Sequence, residues 1–175
     1  MNNGKKKNTR IKVSLRKEVV RCEVCKSQKE FYYLSDFLYG KRLVYSKNGG
    51  VLAFIDMIND PSYSEYYEIA EDILNKYEKS LTKEDISSFV NKSFGEICDL
   101  INDEKVDFSA SQRVCKKCGS TKFEKNMCES ASVVEVELPV ISHTEWDKKE
   151  IEQKRNIMVR LIEKSNYCIR GVLEK

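Results

Sequence analysis

Two short stretches share one pattern and decide how this chain can fold: "RCEVCKS" at residues 21–27 and "RVCKKCGS" at residues 113–120. Each contains a Cys-x-x-Cys motif, and we name them the first hook and the second hook. Two thiolates at this spacing can approach one ion, and two such pairs complete the tetrahedral sulfur shell that structural zinc prefers. Thiolates also select zinc or iron over magnesium or calcium. The pattern therefore predicts one structural zinc ion per chain, with the ligands Cys22, Cys25, Cys115 and Cys118.

The two hooks, Gly119 directly after Cys118, and the strand that enters each hook together resemble a zinc ribbon over about residues 10–35 and 111–141. A typical ribbon has its hooks much closer than the 89 residues that separate these two. The resemblance implies an insertion at the ribbon's tip, which is tolerable because loop-closure entropy grows only with the logarithm of length. It also implies a closed four-sulfur shell with no open position for water. Two half-sites that bridge chains, or thiols without metal, are the alternatives.

The composition favours a helix-rich protein with a real core: 41% of the 175 residues are hydrophobic, 34% are charged and only two are proline. Seven cysteines are an odd number, and no apolar segment follows the basic N-terminus. The longest apolar run, "VLAFI" at 51–55, is far shorter than the roughly 20 residues of a membrane-spanning helix. We therefore expect reduced cysteines, a cytoplasmic location and no membrane partner.

The pattern along the chain predicts an α+β fold. Ile11, Val13 and Leu15 alternate with polar residues before the first hook, as in a half-buried strand. Two further strands are predicted at "EFYYL" and "KRLVY", before the turn signal "KNGG" at 47–50, and another at "SVVEVELPVI". The predicted parts are a disordered basic tail at 1–9, a discontinuous zinc-ribbon-like β unit at 10–50 and 111–141, an acidic helical insertion at 51–110, and a C-terminal extension at 142–175.

Helical periodicity dominates the insertion. "VLAFIDMI" is predicted as a short helix, and the next helix places Tyr66, Ile69, Ala70, Ile73 and Tyr77 on one face. Thr82 and Asp85 form a capping-box pattern that opens a further helix. Its predicted apolar face consists of Ile86, Phe89, Val90, Phe94, Ile97 and Ile101. The insertion is thus a helical hairpin or a three-helix unit.

In the C-terminal extension, Thr144 is the predicted N-cap of a final long helix, with Asp147 at its third position. The predicted buried stripe of this helix consists of Ile151, Met158, Leu161 and Ile162. "YCIRGVL" at 167–173 is a predicted edge strand.

The remaining cysteines and the single histidine have structural interpretations. Cys98 is predicted to be a buried core thiol, and Cys168 to pack in the terminal strand. Cys128 lies close to Cys118 in the sequence. The alternative to a structural role for Cys128 is that it replaces a ligand or acts as a redox partner. His143 is predicted to be a surface or capping neighbour of the last helix, because no nucleophile motif accompanies it.

Charge is unevenly distributed and suggests nucleic acid as the partner. Residues 1–29 carry a net charge of +8 and residues 111–128 a net charge of +4, whereas residues 51–110 carry −9. Basic residues around the hooks present a positive field to phosphates. The aromatic residues Phe31, Tyr32, Tyr33 and Phe123 are candidates for base stacking, with core packing favoured as the alternative. The predicted contact residues are Lys5, Lys6, Lys7, Arg21, Lys26, Lys29, Arg113, Lys116, Lys117, Lys122 and Lys125.

A protein partner is the second hypothesis. The acidic, tyrosine-rich segment at 62–73 suits a basic protein, as in a regulator or an immunity-like or antitoxin-like inhibitor. Its predicted contact residues are Tyr63, Tyr66, Tyr67, Glu68, Glu71 and Asp72. If the insertion packs against the basic hooks, their opposite charges neutralise each other. Charge then supports neither hypothesis.

An enzyme is the least favoured class. Nucleases of the HNH type also carry paired hooks, and "CKKCGSTK" is similar to the end of such a domain. In that family the catalytic histidines fall between the hooks, where this chain has none. No phosphate-binding glycine loop is present either. We therefore expect a non-enzymatic protein with no small-molecule substrate, and a divergent HNH-type nuclease remains the second alternative.

Overall fold

The structure is a computed structural model that describes residues 9–36, 39–46, 52–77, 80–109 and 113–165. It confirms the α+β class. Within these residues, seven strands form two sheets, and four helices pack against the second sheet. The bounds are β1 Arg10–Cys22, β2 Gln28–Leu34, β3 Lys41–Ser46, β4 Leu52–Asp56, α1 Pro61–Tyr77, α2 Lys83–Ser93, β5 Val106–Asp107, β6 Phe123–Met127, β7 Ser132–Pro139, α3 Thr144–Asp147 and α4 Ile151–Lys164.

The first sheet is built around the long strand β1, which pairs with β2 along one edge. Along its other edge β1 pairs with β7 over its first part and with β6 at its end, and all of these pairings are antiparallel. The register shifts between Val20 and Cys22, which is a bulge at the point where β1 delivers the first hook. The predicted strands at "EFYYL" and "SVVEVELPVI" are confirmed as β2 and β7.

The second sheet has the strand order β4-β3-β5. The short helix predicted at "VLAFIDMI" is wrong, because Leu52–Asp56 is strand β4. Phe54 packs toward the first sheet, with Leu15 and Leu138, while Ala53 and Ile55 pack toward the helices. A strand that is buried on both faces has a continuous apolar run, which periodicity alone does not separate from a buried helix.

Helices α1 and α2 carry the predicted apolar faces. Tyr66, Ile69, Ala70 and Ile73 are buried as predicted, but Tyr77 at the end of α1 is 40% exposed. The capping box of Thr82 and Asp85 is confirmed. Helix α2 ends at Ser93 and continues as a 3-10 turn over Phe94–Glu96. All six predicted apolar residues from Ile86 to Ile101 are buried.

The predicted C-terminal helix is two helices. Thr144 is the first residue of α3 rather than an N-cap, and its backbone N–H donates to the Asp99 carboxylate at 3.0 Å. Helix α4 begins with its own capping box, formed by Glu150 and Gln153. Ile151, predicted to be buried, is 53% exposed, whereas Met158 and Ile162 are fully buried. The predicted strand at 167–173 and residues 1–8 of the predicted tail lie outside the described residues.

Two apolar clusters hold the layers together. The larger cluster lies between the second sheet and the helices and includes Trp146, Tyr66 and Phe94. The smaller cluster lies between the two sheets. The predicted division into parts remains a prediction, but the pairing of β3 with β4 and β5 joins the predicted ribbon to the predicted insertion. Within the described residues, no helix has both the length and the apolar character needed to cross a membrane.

Candidate metal centre

The four predicted ligands meet at one end of the first sheet. Cys22 Sγ lies 3.6 Å from Cys118 Sγ, and Cys25 Sγ lies 3.5 Å from Cys115 Sγ. All four sulfur atoms lie within 4.8 Å of one another. A tetrahedral ion with bonds of about 2.3 Å to sulfur requires sulfur–sulfur separations of about 3.8 Å. The cluster therefore fits a four-thiolate metal site and is compatible with a zinc-ribbon-like centre.

The backbone of the two hooks follows the same hydrogen-bond pattern. In the first hook the amide of Cys22 donates to the carbonyl of Ser27 at 2.9 Å, and the amide of Lys26 donates to the carbonyl of Cys22 at 3.0 Å. In the second hook Cys115 donates to Ser120 and Gly119 donates to Cys115, both at 2.8 Å. The repeated spacing in the sequence thus corresponds to a repeated turn, which presents both thiols of each hook on the same side.

Each turn requires one residue with positive φ directly after its second cysteine. Gly119 adopts φ of 71° and Lys26 adopts φ of 59°. This region is open to glycine and strained for residues with a side chain. The first hook therefore contains a local strain that the second hook avoids.

Ser27 is a part of the centre that sequence reasoning missed. Its Oγ lies 3.0 Å from Cys25 Sγ and 3.4 Å from Cys115 Sγ, so that it bridges the two hooks. The signal was present in the chain, because both hooks continue as Cys-x-x-Cys-x-Ser and the second serine is Ser120. Hydroxyl groups that contact ligand sulfurs orient the ligands and stabilise their ionised form.

Ser27 and the neighbouring groups of the hooks shift the pKa values of the cysteine thiols. The hydroxyl of Ser27, followed by the backbone amide of Cys118, lowers the pKa of Cys115 to about 6. Ser27 also lowers the pKa of Cys25. The backbone amide of Ser120 acts to lower the pKa of Cys118, but desolvation and the three neighbouring thiols together raise it to about 12. Four thiolates at these separations would repel one another, and a cation among them would offset their charge.

The other described cysteines lie outside the four-sulfur group. Cys98 donates to the carbonyl of Phe94 at 3.3 Å, and burial, with the nearby charges of Asp60 and Asp99, raises its pKa well above the usual value. It is half-buried and packs against the edge of the larger cluster, where a buried core thiol was predicted. Cys128 is half-buried at the end of β6, where its amide donates to the carbonyl of Val19. Cys168 lies outside the described residues.

The hooks also bring the predicted basic residues together. Arg21, Lys26, Arg113, Lys116, Lys117, Lys122 and Lys125 are all exposed. Among the predicted contact residues, Lys26 pairs with Glu124 at 3.1 Å, and Lys29 donates to the carbonyl of Val114 at 2.5 Å. Burial, and then the charge of Lys116, lower the pKa of Lys29. Lys5, Lys6 and Lys7 lie outside the described residues.

The aromatic residues near the hooks divide between core and surface. Phe31 is 2% exposed and packs edge-on against Phe123, with ring centroids 5.0 Å apart. Tyr32 packs into the cluster between the sheets, and its hydroxyl donates to Glu30. Tyr33 and Phe123 are half-exposed. Core packing therefore accounts for Phe31 and Tyr32, and leaves Tyr33 and Phe123 accessible.

Several residues of the predicted protein-binding set serve the internal packing. Tyr66 is fully buried and donates to Ser93 at 2.8 Å, so this residue cannot contact a partner. Tyr63 packs edge-on against Phe94. Asp72 accepts hydrogen bonds from Lys76 and Arg155 at 3.0 and 2.7 Å. Tyr67 is half-buried, Glu68 is exposed and Glu71 is half-exposed.

His143 is buried, which corrects the predicted surface position. It is 5% exposed, and its Nε2 lies 2.8 Å from Asp60 Oδ2. Its ring lies against that of Phe94. This histidine therefore links the segment before α3 to the residue before α1.

No family model, curated protein or solved structure matches this chain.

Proposed function

We propose that the protein is a non-enzymatic, zinc-stabilised binding protein that contacts nucleic acid through the basic surface of its hooks. One observation carries the proposal. Arg21, Lys116, Lys117, Lys122 and Lys125 are exposed around one end of the first sheet, and none of them has an ion pair or hydrogen-bond partner for its side chain within the described part of the chain. Elsewhere, many cations are paired with carboxylates.

The contrast matters because unpaired cations concentrated on one surface create the field that attracts phosphates. Lys26 in the first hook forms its ion pair with Glu124 and not with an acidic residue of the helices. The acidic helices meet cations of their own layer, as in the pairs Glu65–Lys154 and Asp72–Arg155. The ion pairs named here therefore do not join the basic residues of the hooks to the acidic residues of the helices.

Zinc is the proposed ion, because four thiolates in a tetrahedral arrangement are the preferred set for structural zinc. One ion per chain would fix the two hooks against each other and so position the basic residues. A closed shell supplies no site for water or substrate, which is why the proposal is non-enzymatic. A reducing cytoplasmic compartment would keep these thiols available.

The test combines metal analysis with a salt titration of binding. We expect one zinc per chain, and affinity for short oligonucleotides that falls steeply as salt rises. The hook variant, with Lys116, Lys117, Lys122 and Lys125 changed to Gln, should lose most of this affinity and its salt dependence. The matched control changes Lys83, Lys92, Lys149 and Lys164 to Gln, which removes the same charge far from the hooks and should bind nearly as the wild type does.

Two results would overturn the proposal. Equal losses in the hook variant and the control would mean that only net charge matters. A metal-loaded wild type that binds no oligonucleotide at low salt would remove the nucleic-acid function and leave a protein partner as the remaining class, although Tyr66 and Asp72 of its predicted surface are already engaged within the chain.

A further inference from the structure

We propose that the ligand is single-stranded nucleic acid, and that it lies across the outer face of the first sheet with its bases stacked on Tyr33 and Phe123. This inference rests on the nucleic-acid function proposed above. It adds that the ligand is single-stranded and names the surface that binds it.

The outer face is defined by alternate residues of β1. Ile11, Val13 and Leu15 point toward the second sheet and pack in the cluster between the sheets. Because side chains alternate along a strand, Arg16, Glu18, Val20 and Cys22 point to the opposite, outer face. Cross-strand partners share a face, so the outer face also contains Tyr33 and Val133 opposite Arg16, Lys29 and Met127 opposite Val20, and Phe123 opposite Cys22.

This face exposes several apolar side chains together. Val133 is 67% exposed and Met127 is 45% exposed, and the rings of Tyr33 and Phe123 are each half-exposed. Single exposed apolar residues are ordinary, but a group of them on one surface indicates an interaction site. Phe31 is buried on the same face and supports Phe123 from the side. The half-exposed ring of Phe123 therefore rests on a buried ring.

The Tyr33 end of the surface already contains a stacked pair. The guanidinium of Arg16 lies 5.6 Å from the centroid of the Tyr33 ring, and Glu18 holds the same guanidinium by an ion pair. Unpaired bases stack on aromatic rings and on arginine planes, and such stacking tolerates any sequence. Arg16 and Tyr33 together offer both kinds of surface, and their distance from Cys22 along β1 is about 20 Å at about 3.3 Å per residue.

Charge restricts the ligand to the half of this face that lies near the hooks. Lys122 and Lys125 flank Phe123 in the sequence, and the ammonium of Lys29 lies 5.4 Å from the centroid of the Phe31 ring. Glu135 and Glu137 are exposed at the other end of the face, opposite Ser14 and Lys12. A phosphate backbone is thus favoured from the hooks to about Arg16 and disfavoured beyond it.

Stacking decides between a single strand and a duplex. Bases in a duplex stack on one another and present only their edges in the grooves. An aromatic ring on an open sheet face gains little from such a ligand, whereas an unpaired base can cover the ring. Partly exposed rings beside exposed cations are the combination that single-strand binding surfaces share.

The test compares three labelled ligands with the metal-loaded full chain: a 12-nucleotide oligodeoxythymidine, the matching oligouridine, and a DNA duplex of the same length. The variant is Tyr33→Leu, and the matched control is Tyr39→Leu, because Tyr39 is 80% exposed and lies outside the first sheet. We expect the wild type to prefer the single strands. Tyr33→Leu should weaken single-strand binding about tenfold and leave duplex binding unchanged, and Tyr39→Leu should change neither.

The outcomes separate this inference from the function on which it rests. If the wild type binds the duplex at least as tightly as the single strands, or if Tyr33→Leu binds single strands like the wild type, the inference is wrong while the hook variant can still support a nucleic-acid function. If the wild type binds none of the three ligands, both fail. Equal melting temperatures of the two tyrosine variants check that Tyr33→Leu acts on binding and not on folding.

Discussion

Lys26 and Gly119 occupy equivalent positions in the two hooks, and both adopt positive φ, 59° and 71° respectively. Each donates its amide to the carbonyl of the first cysteine of its own hook. The turn is therefore the same, but a lysine in this conformation is strained by about 1 kcal/mol relative to glycine.

This relationship predicts opposite effects of two substitutions. Lys26→Gly should raise the free energy of unfolding of the metal-loaded protein by about 1 kcal/mol, because glycine removes the strain and the exposed ion pair with Glu124 contributes little. Gly119→Ala should lower it by about the same amount, although its new Cβ would meet no other atom within 4 Å. Urea unfolding measures both changes. Two changes of the same sign would show that the two turns are not equivalent.

Removal of one thiol should release the metal. Cys115→Ser is expected to lose zinc and to melt at a much lower temperature, because the binding energy of a structural ion is part of the folding energy. Cys128→Ser is the matched control, since Cys128 lies outside the four-sulfur group. Elemental analysis and thermal melting provide the two readouts. Retention of one zinc per chain in Cys115→Ser, or its loss in Cys128→Ser, would mean that the ligand set is wrong.

The contact between Asp60 and His143 predicts a dependence of stability on pH. Burial acts to raise the pKa of Asp60, but the hydrogen bond and charge of His143, with amides at the start of α1, lower it below the usual value. A carboxylate with a lowered pKa in the folded state stabilises the protein above its unfolded pKa of about 3.9. This contribution is lost as the pH falls through the lower, folded value.

Asp60→Asn should therefore be less stable than the wild type at pH 6, and the difference should shrink as the pH falls below about 4. Urea unfolding of both proteins over this range measures the difference, and release of metal in acid affects both alike. A difference that stays constant with pH would mean that the ionised carboxylate of Asp60 does not stabilise the fold.

Gly95 should not tolerate a side chain. A Cβ at this position would lie 2.4 Å from the carbonyl oxygen of Val106, which belongs to strand β5. Gly95→Ala is expected to cost about 1 to 3 kcal/mol, because the 3-10 turn and β5 must move apart. Thermal melting of the metal-loaded protein measures the loss. An unchanged melting temperature would show that the turn and β5 are not packed as closely as the structure has them.

The sequence was sufficient to predict the four-cysteine cluster, because its cysteines are carried by short motifs with fixed internal geometry. Cys-x-x-Cys specifies a local turn, and two such turns together supply the four thiolates that one tetrahedral ion takes. The capping box of Thr82 and Asp85 was predictable for the same reason, since both partners lie three residues apart.

The wrong predictions concern residues whose structure depends on contacts with residues far away in the sequence. Ala53 to Ile55 form a strand because a sheet covers one face and helices cover the other, which no local pattern shows. His143 is buried because its Nε2 pairs with the carboxylate of Asp60, which is far away in the sequence. Thr144 is not an N-cap because the Asp99 carboxylate takes its amide. Tertiary partners of this kind are not visible in the sequence near each residue.

The chain leaves the first sheet after Leu34, where Ser35 donates to Ser14, and returns at the second hook, where Lys29 on β2 donates to the carbonyl of Val114. The two ends of the long intervening segment thus both lie at this sheet. Because loop-closure entropy grows only with the logarithm of length, the many residues between the hooks add little to the cost of bringing the four sulfurs together. A search for such a site by short hook spacing alone would therefore miss this chain.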